Sequence, residues 1–569
     1  MKRPPLGRLV VLLVGMVAGL GGIVARLAVL QVSRAPELRS LGYDQRLHPA
    51  ELPAQRGRIL DRYGELLAIS LEARDVYVQG QFVQDPAGTA EQLAVILGVK
   101  PREILSSVRG RGFAFVARQV DREMAERIAA LELPGVGSLP VSKRYYPAGP
   151  LASQVLGFVG VDGIGLDGLE AQYQDLLAGR SGEQIQELDP AGRPIARGLQ
   201  EVVEPRSGSD IATTIDRQLQ YRVEAALERA VEANRAKGGT VIVLDPATGD
   251  ILAMAVYPTF DPNRFTEWSD EPEVWKNRAV TDAVEPGSVN KVITASVAIE
   301  ENVFPLEKRF LVPWKVQIGN SVIHDSHRHP TERMTLADIV AKSSNIGIVE
   351  VAEEVGAPLL SRYLSRFGFG SQTGLGFPGE GSGLLLPLDS WSLTSLPTIA
   401  FGQGISVTPL QMAAVYATIA NGGKWVQPRL VRGTVGPDGT LVPSPPSVTK
   451  RVVSPRTARM VTQMLAYAVE DGTGQSAQVP GYQVAGKTGT ARKPYTDRPG
   501  YAHRYVASFI GFLPASRPHV AIAAMLDEPV TVYGGLAAAP LFQEIARYAI
   551  HRLRIAPGDP VPRPPSTER

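Results

Sequence analysis

Apolar positions fall into distinct patterns along the chain. The first is a continuous run, Leu9 to Ala25, preceded by Lys2, Arg3 and Arg8. Arg26 interrupts it, and Leu27, Ala28, Val29, Leu30 and Val32 extend it. A bilayer core takes about 20 residues of helix, and an Arg near the end can snorkel. The run predicts an uncleaved anchor over residues 9–32, because it outlasts a signal-peptide core and no clear A-x-A site follows. A cleaved signal peptide is the competing reading. Lys2, Arg3 and Arg8 assign residues 1–8 to the cytoplasm and the rest of the chain to the exterior. No second run of similar length appears, so one span is expected.

Residues 33–205 show short, mixed patterns. Val76 to Val83 alternates like a strand, while Glu91 to Leu97 and Leu169 to Leu177 have helical spacing. GQFVQDPAGTAEQ reads as a loop, and PAGRPIARGLQEVVEPRSGSD, residues 190–210, reads as a domain boundary. Residues 206–555 are patterned more clearly. Thr214 is placed to cap a helix in which Leu219, Val223, Leu227 and Val231 recur every four residues, with Gly238 and Gly239 stopping it. TVIVL and ILAMAVY flank DPATGD as a buried β-hairpin, and VASFIGFL and HVAIAAML form a second strand pair around PASRP. Leu541 to Leu553 is expected to be a closing helix, and the Pro-rich residues 556–569 a disordered tail. Helices at both ends of an antiparallel sheet make a layered α/β (α+β) domain.

Composition narrows the classes. A length of 569 residues excludes a single small binding module. The charge balance of +2 argues against a nucleic-acid coat or an acidic tail. Cysteine is absent, which removes disulfide scaffolds, thiolate metal sites and thiol nucleophiles. The 44% hydrophobic content fits a globular chain better than a polytopic membrane protein.

Three short motifs stand in order in the second region. In EPGSVNK, Ser288 begins an apolar helical run and Lys291 follows at i+3, on the same face. A serine is a weak nucleophile until a base takes its proton. A lysine serves as that base only when neutral, which desolvation and a neighbouring cation both favour. KSSNIG offers the hydroxyl of Ser343 and the amide of Asn345, and GKTGTA places Lys487 and Gly489 on one side of an extended strand. A glycine there lets another backbone approach closely. Singly, each motif reads more plainly as a helix cap, a solvated lysine or a turn. Together and in this order they point to serine acyl transfer.

The three motifs resemble those of the penicillin-binding serine acyltransferases, S-x-x-K, S-x-N and K-T-G. More narrowly, the chain resembles the class B, monofunctional peptidoglycan D,D-transpeptidases. RGRILDRYGELLA, VLGFVG, GLEAQYQDLLAGRSG, NRAVTDAVEPGS, RFGFG and GQGISVTPLQ extend the likeness over nearly the whole chain. EPGS and the RFGFG to GFPGE stretch look closer to the septal, cell-division subgroup than to the elongation subgroup. The resemblance implies a penicillin-binding transpeptidase domain at 206–555, a dimerisation-type pedestal at 33–205, and no cofactor or metal. It also implies that Ser288 attacks the penultimate D-Ala carbonyl of a stem peptide, with Lys291 as base and Ser343 as proton relay. Asn345 would hold the peptide bond, Lys487 would supply charge, and Thr488 would bind the terminal carboxylate. Gly489 would admit the substrate backbone, and the N–H groups of Ser288 and Thr490 would form the oxyanion hole. β-Lactams would acylate Ser288. A polytopic glycosyltransferase of the SEDS family and other membrane proteins of the division machinery are the implied partners, with no nucleic acid. Val289 and Asn290 between Ser and Lys, and Val284, depart from the family pattern and bear on substrate and β-lactam preference.

Rival readings remain. GYQVAGKT fits a P-loop, although Pro480 before it and Gly489, Pro494 and Pro499 after it do not suit the strand and helix that loop needs. GIGLDG fits a dinucleotide fingerprint without a long βαβ unit around it. His324, Asp325, His327 and His329 could ligate zinc or form a solvated loop. A D,D-carboxypeptidase, a β-lactamase, a β-lactam sensor, an elongation-type transpeptidase and an inactive scaffold stay open.

Overall fold

The computed structural model describes residues 6–38, 47–187, 195 and 200–566, except Asn320, Pro437, Thr496 and Pro499. The chain forms two compact units that interleave in sequence. One gathers Met1–Gln55, Arg74–Ser142 and Gly179–Gly208; the other gathers Arg56–Ala73, Lys143–Ala178 and Ser209–Arg569. Segments 56–73 and 143–178 of the expected pedestal thus fold with the C-terminal unit.

In the first unit, the apolar N-terminal run is a helix, Leu6–Ala28, continued by a π turn to Ser33. It is long and apolar enough to cross a membrane. Helices Pro86–Leu97, Pro101–Arg109 and Arg122–Ala129 contribute Leu93, Val108 and Ile128 to one small core with Val76. The expected strand at Val76 to Val83 ends at Gln79. The expected loop after it holds the start of a helix, because Asp85 accepts from the N–H groups of Ala87 and Gly88 ahead of Pro86. The boundary region carries a strand, Gln200–Val203, paired with Gly182–Glu187; residues 188–194 and 196–199 lie outside the described residues.

The second unit is built on α1 (Arg217–Ala233), β1 (Gly238–Leu244), β2 (Ile251–Tyr257), α2 (Lys291–Glu300), α3 (Leu336–Lys342), α4 (Asn345–Val355), α5 (Pro409–Ala420), α6 (Pro455–Glu470), β3 (Ala485–Pro494), β4 (Tyr501–Leu513), β5 (Val520–Asp527) and α7 (Gly534–Leu553). The sheet runs β2-β1-β5-β4-β3, all antiparallel. Successive side chains of a strand face opposite sides. Accordingly Val241 and Val243 join a core with α1 and α7, whereas Ile242 and Leu244 join the larger core that includes α2 to α6. Both faces are covered, which is why TVIVL and HVAIAAML are continuously apolar.

Local chemistry corrects several expectations. Asp216, not Thr214, caps α1, because its carboxylate reaches the N–H groups of Gln218 and Leu219. The Thr214 hydroxyl instead donates to the Ile251 carbonyl at 2.6 Å. The helix already ends at Ala233, and Gly238 and Gly239 begin β1. A Cβ on Gly239 would come within 2.7 Å of Leu227, so glycine there permits close helix–sheet packing. The predicted helix at Leu169 to Leu177 is two short ones, broken at Tyr173. The closing helix α7 starts before Pro540 rather than after it. The tail expected to be disordered makes fixed contacts as far as Pro565: the Val561 N–H donates to Gln483, Arg563 pairs with Asp471 at 2.8 Å, and the Thr335 hydroxyl donates to the Pro565 carbonyl; residues 567–569 lie outside the described residues.

Candidate active site

The nucleophile candidate sits on a turn strapped by backbone hydrogen bonds. Gly287 has φ +58° and opens a single 3₁₀ turn, Gly287–Asn290, that runs into α2. The Gly287 N–H donates to the Gly402 carbonyl, and Val284 exchanges two backbone hydrogen bonds with Val407. Asn290 is fully buried and donates to the Ile399 carbonyl at 2.7 Å. Val289 is also buried, and its carbonyl accepts from the Tyr416 hydroxyl. Val289 and Asn290, two of the three departures from the family pattern, therefore lie in the body of the fold, whereas Val284 is half-buried. Ser288 is half-buried, and its hydroxyl has no hydrogen-bond partner among the described residues.

One turn on, Lys291 is fully buried. Its ammonium donates to the Ser343 carbonyl at 2.6 Å, the Asn345 Oδ1 at 2.8 Å and the Ser343 Oγ at 3.3 Å. Burial pulls its pKa from the ordinary 10.5 down to about 7, against the charge of Asp325, which holds it up. Ser343 ends α3 in the left-handed region, φ +59°. A non-glycine residue held there stores about 1–2 kcal/mol, and the Lys291 contact to its carbonyl is one of the restraints. Ser344 caps α4 through the Gly347 N–H. Asn345 begins α4 and donates its amide to the His324 carbonyl at 3.1 Å.

Lys487 lies on β3, which among the described residues pairs only with β4 and is an edge strand. It too is fully buried. Burial first, and then the charge of Lys291, push its pKa well below the ordinary 10.5. Among the described residues its side-chain nitrogen reaches only the Thr488 carbonyl at 3.3 Å and hydroxyl at 3.4 Å. Thr488 shares a 2.7 Å hydroxyl contact with Thr473. A Cβ on Gly489 would meet the Ser508 hydroxyl at 2.3 Å and Val289 at 3.0 Å, so this glycine lets β3 close on the nucleophile turn. The Thr490 hydroxyl accepts from the Gly534 N–H at the start of α7.

The structure thus brings Lys291, Ser343 and Asn345 into direct contact and couples Lys487 electrostatically to Lys291. Thr473 lies outside every motif, and Gly402 opens GQGISVTPLQ; the role of each comes from a tertiary contact that the sequence does not display. GYQVAGKT is not a phosphate loop: its lysine lies within a strand that continues to Pro494. GIGLDG leads into a five-residue helix, not the long helix of a dinucleotide fold. Asp325 of the histidine cluster is buried, and its oxygens accept from Asn345, Ile346, Ser344 and His329. His327 lies against Tyr533. Among the described residues no three His, Cys, Asp or Glu side chains gather as metal ligands would.

A lysine whose pKa falls to about 7, one turn from a serine and bonded to a second serine and an amide, is an acyl-transfer constellation. The sequence matches the penicillin-binding protein transpeptidase domain over residues 239–547 and the penicillin-binding protein dimerisation domain over residues 51–213. The chain belongs to the class B penicillin-binding proteins. Among these proteins, Penicillin-binding protein PbpB of Mycolicibacterium smegmatis is 35% identical over 99% of this chain and 92% of its own length. Peptidoglycan D,D-transpeptidase FtsI of Escherichia coli is 33% identical, covering 94% of this chain and 90% of its own. Penicillin binding protein 3 of Mycobacterium tuberculosis, solved with aztreonam, matches with a TM-score of 0.71 at 32% identity, covering 90% of this chain and 99% of that one. Class B members are serine acyltransferases, and the transpeptidase fold, with sheet and flanking helices, is the second unit described above.

Proposed function

We propose that Ser288 forms an acyl-enzyme with peptidoglycan stem peptides ending in D-Ala-D-Ala and passes the acyl group to the amine of a second stem peptide. Lys291, neutral near pH 7, takes the Ser288 proton as Oγ bonds to the penultimate D-Ala carbonyl carbon. The N–H groups of Ser288 and Thr490 receive the oxyanion. The C–N bond then breaks, and Ser343 passes its proton to the leaving D-Ala nitrogen, recovering one from Lys291. The acceptor amine attacks the ester, Ser288 leaves with a proton, and the cross-link is made. Asn345 holds the donor peptide bond. The donor backbone lies along the free edge of β3 at Gly489, as an added strand would. Its carboxylate meets Thr488 and restores the charge that burial takes from Lys487.

The observation that carries this reading is the Lys291 cluster: full burial, a pKa lowered to about 7, and contacts to both Ser343 and Asn345. β-Lactams acylate the same serine. The N-terminal helix anchors the protein in the cytoplasmic membrane with Lys2, Arg3 and Arg8 inside and the catalytic unit outside. The remainder of the N-terminal region acts as a pedestal. The EPGS and GFPGE motifs favour septal synthesis during division, beside a SEDS-family glycosyltransferase and other membrane proteins of the division machinery.

The test is labelling with a fluorescent penicillin. Wild-type protein is expected to label and Ser288→Ala not to. No labelling of the wild type, or equal labelling of both, sinks the acyl-enzyme reading. Release of D-Ala without cross-linking when an amine acceptor is present would make the enzyme a carboxypeptidase. Tagged protein is expected at division sites; a lateral distribution would favour elongation.

A further inference from the structure

The loop before α3 carries a carboxylate that the acylation scheme does not use. Asp325 is 6% exposed. Its Oδ1 accepts from the Asn345 N–H at 2.5 Å and the Ile346 N–H at 3.0 Å; its Oδ2 accepts from the Ser344 hydroxyl at 2.6 Å and lies 3.1 Å from His329 Nε2. All the donors except His329 belong to Ser344, Asn345 and Ile346, at the N-terminus of α4. The same loop also fixes Asn345 from its other end, through the His324 carbonyl. Asn345 then accepts from Lys291 at 2.8 Å. The buried carboxylate thus holds the Asn345 backbone, and the Asn345 side chain in turn holds the ammonium.

We propose that Asp325 is a positioning residue for acylation, whose carboxylate locks the Ser344–Ile346 turn and, through Asn345, fixes Lys291. The proposal rests on the reading of Lys291 as the base for Ser288. Charge-assisted bonds to two N–H groups at a helix start suit a carboxylate, since the helix dipole adds to them. The aspartate also acts through space, because its negative charge opposes the loss of the Lys291 proton. The other charged or titratable groups around it are His329, which has Glu332 at 4.0 Å and Lys342 beyond that, His324, whose ring Nδ1 lies 2.9 Å from the Asp325 carbonyl, and Lys487, which is coupled electrostatically to Lys291. Two effects follow from one group. The hydrogen bonds raise the acylation rate, and the charge sets the pH at which that rate appears.

The experiment measures the rate constant of acylation by a fluorescent penicillin against pH, on the full-length protein, with thermal melting in parallel. Asp325→Asn keeps the shape and one acceptor oxygen but removes the charge. The maximal rate is expected to fall roughly tenfold to a hundredfold. The half-maximal pH is expected to move down by about one unit, because Lys291 loses its proton more readily. An unchanged profile, or a slower rate with the same half-maximal pH, overturns the proposal. Should the variant melt below the assay temperature, His329→Gln decides. It keeps the carboxylate and removes the imidazole whose protonation Asp325 favours, so the half-maximal pH is expected to rise; no displacement overturns the proposal. Failure of the wild type to label at all would instead remove the Ser288 reading.

Discussion

At the residue scale, the chemistry depends on a lysine that the fold would do better without. The fall of Lys291 from 10.5 to about 7 corresponds to roughly 5 kcal/mol of burial cost, at 1.36 kcal/mol per pH unit. Its three oxygen partners offset part of that cost. Lys291→Met is therefore expected to abolish penicillin labelling and still melt higher than the wild type. The sign with pH follows from proton counting. Between about pH 7 and 10.5 the unfolded lysine binds a proton that the folded one does not. Wild-type stability from this group thus rises with pH across that window. The melting gap between Lys291→Met and wild type should be widest at pH 7 and below, and should narrow toward pH 10. A gap that is constant across this range would mean that Lys291 is not held neutral. In the active wild type, acylation should rise through about pH 7 as the ammonium deprotonates, read from the labelling rate.

At the scale of elements, the nucleophile turn is positioned by backbone contact. Gly402 has φ +86°, and a Cβ there would lie 2.2 Å from the Gly287 carbonyl oxygen and 2.7 Å from its nitrogen. No rotamer relieves such a clash, so Gly402→Ala must move the turn that carries Ser288. Acylation is expected to drop about a hundredfold. Gly422→Ala is the control: its φ is +60°, but a Cβ there meets nothing within 4 Å. It should melt slightly lower, by about 1–2 kcal/mol, and label at the wild-type rate. Equal labelling rates for the two variants would refute the strap. This pair also marks the limit of sequence reading. The helix of α2, the buried hairpin of β1 and β2 and the motif order were legible because they are local, written as spacing and periodicity. Thr214 reads as the cap of α1 from sequence because Thr and Asp are both capping residues, and only the geometry selects Asp216. Asp325 looked like a candidate metal ligand because its true partners, Ser344 to Ile346, are distant in sequence and brought close by the loop.

At the scale of the molecule, the C-terminal unit is larger than its catalytic motifs. Ile59–Leu60 pairs in parallel with Asp210–Thr213, which in turn pairs with Val431–Val435. Beside this junction sits a buried ionic cluster. Glu170 accepts from Arg56 and Arg144, each at 2.6 Å, and from the Tyr146 hydroxyl at 3.3 Å. The guanidinium of Arg56 also reaches Gln174 and the Glu170 carbonyl, and that of Arg144 reaches the Gly57 carbonyl. The cluster ties residues 56–57, 144–146 and 170–174 into one body. Removing the one carboxylate leaves two buried cations facing each other. Glu170→Gln preserves shape and is expected to cost about 3–5 kcal/mol, measured from the denaturant midpoint. Replacing Arg56, Arg144 and Glu170 together by methionine removes the charges as a set and should recover most of that loss. Below its melting point the Glu170→Gln variant should label with penicillin at the wild-type rate, because no member of the cluster touches Ser288 or Lys291. A slowed rate in the folded variant would instead mean that this junction, far from the motifs in sequence, helps to hold the acylation site in place.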